Sequence, residues 1–186
     1  MAPAQALDKD LDPEWKGSHS IWLAVSSLTG GLHFLTYSRK LTVWLGQEAS
    51  SHGLWESLLA WLAGSVLIAL VFLLYTLALW LLSRYLFRQR GLPFPHALAA
   101  GKSAWKYASF FFILALPSLY SGAWAYGITL AVMGLVFAVL VQARQTARLT
   151  YLDENRGLQL SFLSILVFAS LFSVFTSLSR LLTIFR

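Results

Sequence analysis

Residues 58–82 read LLAWLAGSVLIALVFLLYTLALWLL and lie within a run, Ser57 to Ser83, that holds no charged side chain. A helix needs roughly 20 apolar residues to cross the ~30 Å hydrocarbon core of a bilayer. This stretch therefore predicts a transmembrane helix. Two further charge-free runs, residues 107–143 and 157–179, predict more of them.

The run at 107–143 is too long for one span. Pro117 and Gly122 interrupt it with a turn signal, which predicts two helices joined by a tight hairpin. The first of these helices borrows length from the preceding segment, and we expect Lys102 and Lys106 to extend to the interface. The predicted spans of the bundle, residues 58–186, are about 58–82, 100–119, 123–142 and 158–180.

A weaker segment, residues 21–45, follows a polar N-terminal segment, residues 1–20. It begins IWLAVSSLTGGLHFLTYS and either makes a short span or lies in the interface, with Trp22 and Trp44 at headgroup depth. We favour the span. The predicted fold class is an all-α polytopic integral membrane protein, with four or five transmembrane helices and a central tight helical hairpin.

The composition excludes two other classes of protein. Of the 186 residues, 58% are hydrophobic and 12% charged, whereas a soluble domain is about a quarter charged. A soluble globule is therefore excluded. Disorder is excluded as well, because the apolar surface is far larger than a disordered chain tolerates.

The net charge of +6 reflects membrane topology, and we expect no nucleic-acid partner. The basic residues cluster at the ends of the apolar runs, and the hairpin has none, so the positive-inside rule places both basic loops in the cytoplasm. We expect the inner membrane of a bacterial cell. Contacts with headgroups or partners are expected from the arginines of the two loops: Arg84, Arg88, Arg90, Arg144, Arg148 and Arg156.

Two helices carry stripes that suggest packing. On the helix at 123–142, small residues recur on one face: Ala123, Gly127, Ala131, Gly134 and Ala138. Such a groove lets another helix approach closely, either within the chain or from a partner protein. The last helix carries a hydroxyl stripe that ends in a charge: Ser170, Ser173, Ser177 and Arg180. This stripe either packs or lines a polar route.

The absence of cysteine and the placement of the acidic and histidine residues argue against catalysis, cofactors and metals. The chain has no cysteine, and every acid lies outside the long apolar runs. An ion-coupling site would need an ionisable residue inside such a run. Three of the four histidines fall in predicted loops. The fourth, His33, is expected to be a polar helix-packing or interfacial residue. We therefore predict no enzyme, no cofactor and no metal site.

The second half resembles a known family. A span that runs into ALPSL, Ala115 to Leu119, is followed by a hairpin, another span and a loop that ends in RGLQLS, Arg156 to Ser161. This order resembles the Yip family of five-helix membrane proteins and its bacterial relatives, over roughly residues 58–185. The resemblance implies a non-enzymatic membrane factor that binds partner proteins, which in eukaryotes are small GTPases of vesicle traffic.

Two functions follow as hypotheses. The first is a non-catalytic integral membrane accessory or scaffold subunit, which has the lipid bilayer and other membrane proteins as partners. The alternative is a component of a transporter or channel with a hydroxyl-lined pathway. An enzyme comes third, and the oligomeric state stays open.

Overall fold

A computed structural model of the chain describes residues 18–44, 53–89 and 91–184. Over these residues the chain is all-helical and contains no strand, as the sequence predicts. The helices are α1 (Ser18–Trp44), α2 (Leu54–Leu81), α3 (Phe94–Ser121), α4 (Trp124–Leu149) and α5 (Glu154–Ile184). A π-helical segment, Leu82–Leu86, continues α2.

Three helical stretches are long and apolar enough to cross a membrane, judged by length and composition. They are Leu54–Leu86, Trp124–Leu149 and Glu154–Phe175. The fold is therefore compatible with a membrane location. The three apolar stretches correspond to three of the predicted spans. Each of the five helices extends beyond its predicted range at one end or at both.

The helix most enclosed by its neighbours is α3, which packs along α4 and α1. Its buried face consists largely of alanines: Ala97, Ala100, Ala104, Ala108 and Ala115. Small side chains let helices approach closely. On the facing side of α4, a Cβ added to Gly134 would lie 2.6 Å from the Cβ of Phe111, which shows how near the two helices are.

Helix α1 is packed into the bundle along α2 and α3. A Cβ added to Gly31 would lie 2.8 Å from the backbone nitrogen of Ser65. The Trp61 indole N–H donates to the Leu28 carbonyl over 2.9 Å, and Arg39 donates to Ser57 over 2.7 Å. These contacts pair the middle and second half of α1 with the first half of α2, and the residue nearest the end of α1, Arg39, meets the one nearest the start of α2, Ser57. The two helices therefore run antiparallel.

The turn between α3 and α4 falls at Gly122, whose φ of 76° is left-handed and therefore suits glycine. Pro117 lies inside α3 instead of at its end. The sequence correctly predicts the hairpin, and the predicted span 100–119 already contains Pro117, as the structure does. The helix continues for one more turn because the left-handed residue, and not the proline, ends it.

The start of α1, the start of α3 and the end of α4 lie at the same end of the bundle. Gln145 near the end of α4 bonds Ser103 near the start of α3, and Lys106 of α3 lies over the ring of Trp22 near the start of α1. We call this the basic end. It holds the two loops whose arginines the sequence singled out, so both loops lie at the same end, which is the arrangement that the charge pattern predicts.

Candidate functional site

The small-residue stripe of α4 packs inside the chain. Gly127, Ala131, Gly134 and Ala138 are buried, whereas Ala123 is exposed just before the helix. A Cβ on Gly127 would lie 2.5 Å from the Tyr37 hydroxyl of α1. The groove is therefore occupied by α1 and α3, and it is not an open surface for a partner protein.

The serine stripe of α5 faces outward. Ser170, Ser173 and Ser177 are exposed, and the Ser170 hydroxyl donates to the Leu166 carbonyl of its own helix over 3.0 Å. The side chain of Arg180 lies outside the described residues. These serines do not line an internal passage of the bundle, so a polar route would need other residues.

Other polar residues do meet inside the bundle. The polar cluster is formed by side chains that are at most 2% exposed: Thr76 of α2, Ser103 of α3, and Gln142, Gln145 and Thr146 of α4. Gln142 Nε2 donates to Thr76 Oγ1 over 2.6 Å, and Gln145 Nε2 donates to Ser103 Oγ over 3.1 Å. Bonds of this kind fix the register of neighbouring helices.

Lys102 lies beside this cluster and corrects one prediction. It precedes Ser103 on α3 and is 7% exposed, so the bundle encloses it, whereas the sequence predicts a lysine that extends to the interface. Lys106, one turn later, is half-buried, with its ammonium 5.9 Å from the centre of the Trp22 ring.

Trp105 brings a second buried donor to the same region. Its side chain is fully buried, and its Nε1–H has no acceptor among the described residues. The indole lies against Gly101, where an added Cβ would be 2.6 Å from the Trp105 Cζ2 and 3.1 Å from the Gln142 Nε2. Because buried polar groups are normally hydrogen-bonded, Trp105 and the polar cluster are the best candidate for an internal functional site.

His33 makes a separate polar junction between α1 and α3. Its Nε2 lies 2.7 Å from the Phe112 carbonyl, and its Nδ1 lies 3.3 Å from the Tyr37 hydroxyl. A carbonyl only accepts, so Nε2 carries the proton. Because Pro117 has no N–H, the carbonyl of Ile113, four residues earlier, has no donor within the helix. Phe112 immediately precedes Ile113. His33 thus fastens α1 to the proline-containing part of α3.

The basic end exposes the predicted arginines. Arg84, Arg88, Arg144 and Arg156 are exposed and Arg148 is half-buried, while Arg90 lies outside the described residues. The Arg84 guanidinium stacks 5.2 Å from the Trp80 ring centre, and Arg156 lies 3.9 Å from Asp153. The exposed Tyr85 and Tyr151 accompany them. This surface suits the headgroup region of a membrane.

No family model, curated protein or solved structure matches the chain. Within the part of the chain that the structure describes, no group of three or more histidines and acids could hold a metal ion. The site is therefore described by its own geometry.

Sequence reasoning missed the polar cluster. The amide of Gln142 and the hydroxyl of Thr76 are uncharged, so they do not stand out in a sequence where charged groups mark the ends of the apolar runs. The available signal was the spacing of Gln142, Gln145 and Thr146, which share one face at the end of a predicted span.

Proposed function

We propose that the chain is a non-catalytic integral membrane accessory or scaffold subunit that packs against other membrane proteins through α5. The observation that carries this proposal is the exposure of α5. Although α5 is apolar enough to span a membrane, only 11% of its most apolar stretch is buried. Among the residues of α5 whose side chains the structure describes, the buried ones are Leu160 and Ser164, and both lie in its first half.

The second half of α5 has a surface suited to another helix. Ala169, Ser173 and Ser177 are exposed and recur every four residues, and this spacing of small residues favours close helix approach in lipid. We call this surface the α5 face. The α4 stripe, which the sequence allowed to pack either within the chain or against a partner protein, is filled from within the chain.

The proposal includes five spans, with α1 and α3 crossing beside the three more apolar helices. Both pack lengthwise in the bundle, so their polar side chains, such as Ser109, can face neighbouring helices instead of lipid. The basic end would face the cytoplasm, in the inner membrane of a bacterial cell. The Yip-like helix order supports the same role, since that resemblance implies a partner-binding membrane factor.

The polar cluster favours a second candidate, a component of a transporter or channel. Lys102 and the Trp105 N–H lie buried among helices, where polar groups often mark substrate pathways. A route would pass Gln142 and Gln145 and not the serines of α5. Solute flux through liposomes that contain the chain alone would favour this candidate over the accessory role.

The accessory role is tested on the α5 face. We would purify the chain from its own membranes in mild detergent and identify co-eluting proteins by mass spectrometry. The variant A169L/S173L should lose a specific membrane partner, because leucine side chains hold the helices apart. The control variant A125L also enlarges an exposed alanine, and it should retain the partner. A solitary chain, or equal recovery with both variants, contradicts the proposal.

A further inference from the structure

Two helices end, at the basic end, on left-handed residues that are not glycine. Arg88 follows the π-helical segment with a φ of 57°, and Tyr151 follows α4 with a φ of 50°. Glycine is favoured at such a position because it lacks a Cβ. Both side chains are exposed, so packing in the bundle does not explain the arginine and the tyrosine. Residues held in a disfavoured conformation are often functional.

The turns that carry these two residues are ordered by the backbone. Across the first turn, the Gln89 N–H donates to the Ser83 carbonyl over 2.9 Å. Across the second, the Leu152 N–H donates to the Ala147 carbonyl over 3.0 Å. Bonds of this kind close the end of a helix, so both left-handed side chains are presented from fixed positions.

The two turns also meet at one place. Phe87, which precedes Arg88, and Leu152, which follows Tyr151, both pack against a buried cluster that includes Leu160 of α5. The end of α2, the end of α4 and the start of α5 therefore come together there. Arg88 and Tyr151 border the same cluster on its exposed side.

A further exposed side chain, Arg84, is held by aromatic contacts. Its guanidinium lies 5.2 Å from the centre of the Trp80 ring. The indole is itself fixed, because its N–H donates to the Leu92 carbonyl over 3.0 Å and its ring packs edge-on against Phe94. A guanidinium that stacks by its face can still bind a phosphate through its N–H edge. Holding it in place reduces the freedom it would lose on binding.

The acids near these arginines serve the start of α5. Asp153 accepts from the Arg156 backbone N–H over 3.0 Å, and its carboxylate lies 3.9 Å from the Nε of the same arginine. Glu154 lies in the first turn of α5, where the helix dipole favours a carboxylate. The arginines at the end of α2 are therefore the better place for an added anion.

The side chains beside Arg84 and Arg88 favour a lipid over a soluble anion. Tyr85 is 71% exposed, Leu86 55% and Tyr151 95%. Tyrosines are typical of the headgroup region of a membrane, and a leucine next to arginines suits the boundary between headgroups and acyl chains. A soluble phosphate would leave these groups in water, whereas a phospholipid covers them while its phosphate meets the arginines.

We propose that the end of α2 binds the phosphate of an anionic phospholipid through Arg84 and Arg88, with Tyr85, Leu86 and Tyr151 against its glycerol and acyl region. We call this the lipid site. It rests on the membrane location in the proposed function, but it does not need a partner on the α5 face.

The lipid site is tested by competition. We would purify the chain in a neutral detergent and follow the binding of fluorescently labelled phosphatidylglycerol by fluorescence polarisation. Unlabelled phosphatidylglycerol should displace the probe, and zwitterionic phosphatidylcholine should displace it only weakly. Equal displacement by the two lipids overturns the proposal. Displacement by inorganic phosphate alone, which has no acyl chain, shows a site for soluble anions and overturns it as well.

Two variants separate the lipid site from the fold. R84Q and R88G should each raise the apparent Kd for phosphatidylglycerol about fivefold, the contribution expected of one basic residue near an anionic surface. R88G is the sharper test because glycine suits the left-handed φ. Its Tm should be equal to that of the unchanged chain or higher while its lipid affinity falls. An unchanged Kd in R84Q and R88G overturns the lipid site.

The matched comparison is R156Q, which removes an exposed arginine that already meets Asp153 at the same end. It should raise the Kd less than R84Q does. If R156Q weakens binding as much as R84Q, diffuse charge holds the lipid and the site is wrong. Release of the chain from its membranes by an alkaline carbonate wash would contradict this site and the accessory role together. A lipid effect of R84Q without a partner effect of A169L/S173L would contradict the accessory role alone.

Discussion

Replacing Gly31 by alanine tests whether α1 is an integral part of the bundle. An alanine Cβ at this position would lie 2.8 Å from the backbone nitrogen of Ser65 and 3.0 Å from its Cα. Backbone atoms cannot rotate away, so α1 and α2 must separate. Overpacking of this kind costs about 1–3 kcal/mol, while alanine recovers about 0.5–1 kcal/mol of helix propensity. Because the clash is with backbone, we expect the upper part of this penalty, about 2–3 kcal/mol, so that G31A destabilises the fold by a net of about 1–2.5 kcal/mol.

The assay is thermal unfolding in detergent, followed by the fluorescence of the tryptophans. For a chain of this size, 1 kcal/mol corresponds to about 2–4 °C in Tm, so G31A should lower Tm by roughly 2–10 °C. The matched control is G157A in α5, where the new Cβ would meet only the Cβ of Ala147 at 3.4 Å, an ordinary contact. If G31A unfolds at or above the temperature of G157A, the close packing of α1 on α2 is refuted.

Three further predictions concern buried hydrogen bonds. Q142L should destabilise the bundle by about 0.5–2 kcal/mol, and a double-mutant cycle with T76V should give a coupling energy of the same order, whereas zero coupling would show that the pair does not interact. Y75F removes the hydroxyl that lies 3.0 Å from Ser164 of α5, so limited proteolysis should release α5 faster than in the unchanged chain. H33L removes the 2.7 Å bond to α3 and should lower Tm, and an unchanged Tm would contradict the fastening role.

The sequence predicts the helices well because their signal is local. The charge-free run around residues 58–82 indicates α2 without reference to any neighbour, and Gly122 indicates the turn that the structure shows there. The periodic small residues of α4, such as Gly134, likewise predict a packing face from spacing alone. Local patterns of this kind fix where helices form and which of their faces can approach another helix.

The site could not be predicted in the same way because burial depends on which helices become neighbours. Lys102 looks like an interfacial lysine in the sequence, but in the folded chain it is only 7% exposed. The α4 stripe is filled by α1 and α3, a choice that the spacing of glycines does not encode. The α5 serines, which form a similar stripe, are exposed, and the buried side chains among the described residues of α5, Leu160 and Ser164, lie in its first half.

The most direct test of the accessory role is photo-cross-linking from the α5 face in intact membranes. A photoreactive residue at Ser173 should give one discrete adduct with another membrane protein, and the same probe at Val132, an exposed position on α4, should react with lipid only. Loss of the Ser173 adduct in an A169L background would connect it to the small-residue stripe. If probes at both positions give only lipid adducts, α5 faces lipid and the proposed role as an accessory subunit is contradicted.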